Sequence, residues 1–84
     1  FKHRMAEPFV VTVPFEGEVS AKDIKMNAHK GQEMDFVLEG SLKIVVDGHE
    51  EILYAGDSIF YDSGKPHGMV AAGGTDCRFL AIVF

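Results

Sequence analysis

The residues with the most chemical potential in this 84-residue chain lie in two short stretches, Asn27-Ala28-His29-Lys30-Gly31-Gln32-Glu33 and Gly64-Lys65-Pro66-His67. Along an extended strand, side chains two apart share a face, so Asn27 and His29 point the same way and Lys25 joins them. By the same parity Asp35 and Val37 accompany Glu33, Met69 accompanies His67, and Tyr61 accompanies Ile59. Imidazole and carboxylate donors suit a divalent first-row metal such as zinc, manganese, iron or nickel, and the residue types do not choose among them. The competing reading is that the histidines are hydrogen-bonded core groups. Asp35 also has two readings. Facing inward beside Glu33, the like charge raises at least one carboxylate pKa unless a cation binds, which makes Asp35 a ligand or a support for one. Turned outward by a bulge, it is a solvated surface group. Tyr61 either brings a hydroxyl to the cavity wall or simply packs. His3 and His49 have no such company and are expected to face solvent.

Other chemistries are absent from the sequence. There is no nucleophilic triad, Walker loop or dinucleotide glycine pattern, and Gly73-Gly74 lacks the lysine and the strand-to-helix setting of a phosphate loop. Cys77 has no histidine or lysine pattern beside it and reads as a small core or interface residue. As the single cysteine it also excludes an internal disulfide and suits a reducing, cytoplasmic setting. Eight Lys and Arg against thirteen Asp and Glu give a net charge of -5, which repels a phosphate backbone, so nucleic acid is not an expected partner of this segment. No apolar run reaches the ~18–20 residues of a membrane helix.

The elements that must position these residues are short. Eighty-four residues allow one core, and apolar or alternating runs recur between turn signals in the manner of an antiparallel sandwich or barrel. The expected strands are Phe9 to Val13, Lys22 to His29, Glu33 to Leu38, Ser41 to Val46, His49 to Leu53, Ser58 to Tyr61, His67 to Ala71 and Cys77 to Phe84. Pro8 and Pro14 mark the first as an edge strand. Asp47-Gly48 is the strongest hairpin signal, because a type I′ turn needs positive φ at both central positions. Eight or nine such strands bury an interior only by closing a barrel or stacking two sheets.

Two motifs in this order resemble those of the cupin superfamily. The first is Asn27-Ala28-His29-Lys30-Gly31-Gln32-Glu33 through Val37-Leu38-Glu39-Gly40, and the second is Gly56-Asp57 through Gly64-Lys65-Pro66-His67. Asn27 stands where the family's first histidine is, Asp62 where the second motif has proline, and Ala71 where it closes on asparagine. The resemblance implies an all-β fold, the antiparallel double-stranded β-helix or jelly-roll barrel, over residues 1-84. It also implies a metal-ligand set of Asn27, His29, Glu33 and His67, with Lys25, Asp35, Tyr61 and Met69 around the ligand pocket. The stretch from Gly56 to His67, with the lead Ala6 to Pro14, is most similar to the C-terminal cupin of bacterial helix-turn-helix (XRE-type) transcriptional regulators. That version implies a small-molecule effector as partner, a homodimer, and a DNA-binding domain upstream of Phe1, where the chain opens without an initiator methionine. The alternative is a small metal-dependent cupin enzyme of isomerase, dioxygenase or decarboxylase type. The apolar surface expected for dimerisation is Phe79, Leu80, Ile82 and Phe84.

Overall fold

The computed structural model describes residues 6–84. The expectations about His3 and about the opening residues fall outside that range. Among the described residues seven strands follow one another: β1 (Glu7–Val13), β2 (Gln32–Glu39), β3 (Ser41–Val46), β4 (His49–Tyr54), β5 (Ser58–Asp62), β6 (His67–Ala72) and β7 (Cys77–Val83). They form two antiparallel sheets, one ordered β1-β7-β2-β5 and the other β4-β3-β6. The all-β jelly-roll expectation holds. No described helix is long and apolar enough to cross a membrane.

Alternation along each strand builds the interior. Val37, Leu42, Ile44, Leu53, Tyr61, Ala71, Cys77, Phe79 and Ala81 form one buried cluster between the sheets. Packing of this kind stabilises by about 25 cal/mol per Å² of apolar surface removed from water. Asp47 (φ 50°) and Gly48 (φ 82°) make the β3–β4 turn, both in the left-handed region that a type I′ hairpin requires. β1 is an edge strand of its sheet, as the flanking prolines indicate, although Pro8 lies inside it rather than before it.

Two expectations are corrected. The segment from Lys22 to His29 is not a strand. It makes one 3-10 turn at Ala21–Asp23 and then touches the second sheet through a single bridge, Asn27 opposite His67. Buried Ile24 anchors it. Phe79 is not available for dimerisation, because it shares the inward phase of Cys77 and Ala81 and is 3% exposed. A bulge between Val37 and Glu39 shifts the β2–β7 register, so Leu38 leaves the alternation and Glu39 reaches Arg78 at 2.9 Å. The bulge follows the chemically interesting part of β2, leaving Glu33 and Asp35 in regular inward register.

Candidate metal centre

Main-chain bonds stitch the two motif segments together. Asn27 and His67 exchange N–H···O bonds of 2.7 and 2.8 Å, the His29 N–H donates to the Ser63 carbonyl at 2.8 Å, and the Ser63 N–H donates to the Gly31 carbonyl at 2.9 Å. This close approach depends on Gly68. A Cβ there would overlap the Lys25 carbonyl oxygen and stand 2.9 Å from Ile24 Cγ2 and 3.0 Å from the Met26 methyl. Lacking one, Gly68 lets the preceding segment cross β6 and present His29 beside His67.

Donor atoms of His29, Glu33 and His67 then lie within 4.8 Å of one another, a cluster able to hold a metal ion. Glu33 and His67 are buried and His29 is exposed, so the cluster opens to solvent on the His29 side. The His67 and His29 rings meet edge to face at 5.1 Å, and the Tyr61 ring is 5.1 Å from His67 on another side. His67 Nδ1 is 2.9 Å from the Lys65 carbonyl. A carbonyl only accepts, so Nδ1 carries a proton, and in the neutral ring this leaves the Nε2 lone pair free for a metal. No side-chain signal marks this contact in the sequence, because a backbone carbonyl is the same whatever residue occupies position 65.

Below the cluster lies an acidic layer. Asp35 is fully buried, so the inward of its two sequence readings is the one realised. The Tyr61 hydroxyl donates to its Oδ2 at 3.3 Å, while Oδ1 has no partner. Burial, then the hydrogen bond it gives Glu33 when protonated, then the Glu33 charge push Asp35 up to about 8, and the Tyr61 bond opposes them. Burial and the two carboxylates also raise the Tyr61 hydroxyl, so it stays a donor at neutral pH. A cation at His29, Glu33 and His67 would supply the positive charge this carboxylate pair lacks, and the donor set therefore fits a divalent metal. Ser63 Oγ is a further buried polar atom without a partner, in the segment bonded to His29.

Above the cluster a cleft of about 570 Å³ is lined by Lys25, Asn27, Ala28, His29 and β6 from His67 to Val70. Lys25, Asn27 and Met69 thus share one space with the two histidines, whereas Glu33, Asp35 and Tyr61 do not line it. Asn27 is exposed and its main chain holds His67 in place. His49 is exposed, paired with Glu51 at 2.7 Å. Cys77 sits in the core with no exposed surface, and its thiol pKa is raised by burial, an unreactive setting.

Comparison with known proteins matches this geometry to a family. No curated protein matches the chain. Among solved structures it is similar to Fe(II) HppE in complex with substrate, at 33% identity and a TM-score of 0.79 over 94% of this chain and 45% of that one. It is likewise similar to the hydroxypropylphosphonic acid epoxidase from S. wedmorenis, at 32% identity and 0.79 over 94% and 43%. Co(II) HppE bound to Tris buffer matches at 33% and 0.79 over 94% and 45%. The chain therefore spans less than half the length of these proteins. The cupin domain family model matches residues 15–83, nearly the whole chain and all of the strands that carry the site. With two histidines and a glutamate gathered beside two antiparallel sheets, this chain belongs to the cupin family.

Proposed function

We propose that this chain is the metal-binding domain of a cupin enzyme. It holds one divalent first-row metal, iron(II) foremost, at His29, Glu33 and His67 and receives a small ligand in the cleft beside Lys25, Asn27 and Met69. The observation that carries this reading is the convergence of two imidazoles and one carboxylate, a donor set that leaves coordination positions open for substrate. The Fe(II) and Co(II) forms of the structural neighbours support it, and a neighbour's name as an epoxidase favours oxidative chemistry over hydrolysis. The bound metal would supply Lewis acidity and redox chemistry. The protein's own part is to fix the His67 tautomer through Lys65, hold Glu33 against Asp35, and leave the His29 side open.

The test is anaerobic loading with iron(II), cobalt(II), zinc, manganese and nickel, followed by metal analysis of wild type and of Glu33→Ala/His67→Ala. Near-stoichiometric metal in wild type and none in the double variant is expected. Protein that takes up none of the five sinks the proposal.

A second reading is an effector sensor in a bacterial transcriptional regulator. It would sit in a cytoplasmic protein, with DNA bound through an upstream domain and the signal passed across a homodimer. The outward face of the four-stranded sheet favours it. The register aligns Pro8, Ile82, Met34 and Phe60 in one row and Val10, Leu80 and Phe36 in the next. Val10 and Phe60 are 58% and 57% exposed, so this apolar face is ready for a second copy. Ligand turnover by the metal-loaded protein decides for the enzyme. Tight ligand binding without turnover, together with a helix-turn-helix pattern in the coding sequence upstream, decides for the sensor.

A further inference from the structure

Strand β6 is the edge of its sheet, and Asn27 and His67 exchange both main-chain bonds across that edge. The N–H and C=O of His67 therefore point away from β3. These groups alternate along an antiparallel strand, so Met69 and Ala71 point theirs the same way, while Gly68 and Val70 face Val45 and Lys43 of β3. Beyond Asn27 the chain abandons this edge. Its Lys25 carbonyl passes over Gly68, and no described strand or bridge pairs with Met69 or Ala71 on the free side.

Open space lies along that edge instead. The cleft of about 570 Å³ runs past Met69 and Val70. A second cavity of about 170 Å³ shares those two residues, continues to Ala71, and is walled by Val13, Pro14, Val19 and Glu16. The unpaired stretch of β6 thus begins at Met69, beside the cleft that Lys25 and the two histidines line, and leads toward an apolar recess.

We infer that the cleft binds an extended N-acyl amino acid that lies antiparallel along β6. Its amide pairs with Met69, its free carboxylate lies at the His67 end near Lys25, and its acyl chain fills the recess at Val13, Pro14 and Val19. Antiparallel pairing fixes this polarity, because the carboxyl end of the added strand meets the amino end of β6. The reverse direction would put the carboxylate in the apolar recess beside Glu16, where like charge opposes it. The same chemistry is offered by the C-terminus of a peptide. The inference rests on the proposed metal-site reading for the carboxylate's destination, whereas the edge pairing stands on the β6 geometry alone.

The experiment titrates ¹⁵N-labelled protein, metal-free and zinc-loaded, with N-isovalerylglycine and with the ester in which oxygen replaces its amide N–H. Expected are amide shifts at Met69 and Ala71 and about tenfold weaker binding of the ester, the size of one lost hydrogen bond. Equal affinity for amide and ester, shifts that spare Met69 and Ala71, or no binding up to about 10 mM overturns the inference. If none of the five metals is taken up, the metal reading fails by itself and the amide-to-ester ratio on metal-free protein still judges the edge. A tripeptide acid in parallel separates the sources: binding more than about tenfold tighter than the acyl glycine assigns the site to peptide C-termini, and otherwise to free acyl amino acids, each outcome upholding the strand-like mode.

Discussion

Replacing Asp35 by asparagine should turn a pH-dependent barrel into a flatter one. Asp35 is fully buried beside Glu33, and its pKa rises from 3.8 to about 8 in the folded protein. An acid with a raised folded pKa binds its proton more tightly when folded. Its contribution is therefore fully present below about pH 4 and is lost as the pH climbs through about 8. At about 1.36 kcal/mol for each tenfold change in proton affinity, the ceiling on that contribution is about 6 kcal/mol. Sharing of one proton between Asp35 and Glu33 and entry of water reduce this, so a loss of about 2–3 kcal/mol between pH 5 and pH 8.5 is expected in metal-free protein. The asparagine amide keeps a donor toward Glu33 and an acceptor for Tyr61 but has no proton to lose. The assay is urea unfolding of metal-free wild type and Asp35→Asn across that range, taking the difference between the two proteins so that histidine titrations cancel. A difference that changes by less than about 0.5 kcal/mol would refute the reasoning.

Three further outcomes follow from the same geometry. Gly68→Ala should cost about 2–4 kcal/mol in denaturant unfolding. The added Cβ displaces the Lys25 segment, breaking the two Asn27–His67 bonds at about 1 kcal/mol each and partly exposing Ile24. A loss under about 1 kcal/mol would show that the segment yields freely. Metal at about a hundred times its dissociation constant should stabilise wild type by about 2.7 kcal/mol, read as a higher urea midpoint that EDTA reverses. His67→Ala should show no such gain. Phe60→Glu with Val10→Lys should leave the barrel folded but monomeric by analytical ultracentrifugation, if the outward sheet face joins two copies. Unchanged association would exclude that face.

Legibility in the sequence followed regularity of the backbone. Asp47-Gly48 sets a hairpin by local turn chemistry alone, and the strands on either side were readable because nothing distant alters them. The inward direction of Asp35 was one of two parity outcomes, and it is realised because the bulge in β2 comes after it, at Leu38. The segment from Lys22 to His29 misled, because period two describes a chain lying beside a strand and this one crosses over Gly68, a contact set by a residue far along the chain. Phe79 shows the same limit from the other side: its apolar character was plain, but its phase with Cys77 and Ala81 is what buries it. The Lys65 carbonyl that fixes the His67 proton was invisible, since it belongs to the main chain. The free edge of β6 was equally hidden, because it depends on where another segment fails to pair.

The outermost pairing of the fold, Glu7 with Val83, joins nearly the two ends of the described chain. Its consequence is kinetic. The β3–β4 hairpin can form in about 1–10 μs. The sheet that carries Glu33 needs β7, whose Val83 pairs with Glu33 from far along the chain, and topology of this kind folds in milliseconds to seconds. The three metal donors, spread from His29 to His67, therefore meet only once these long-range pairings have formed. Metal capture should come after folding and act as a proofreading step, in which only a correctly closed barrel acquires the ion.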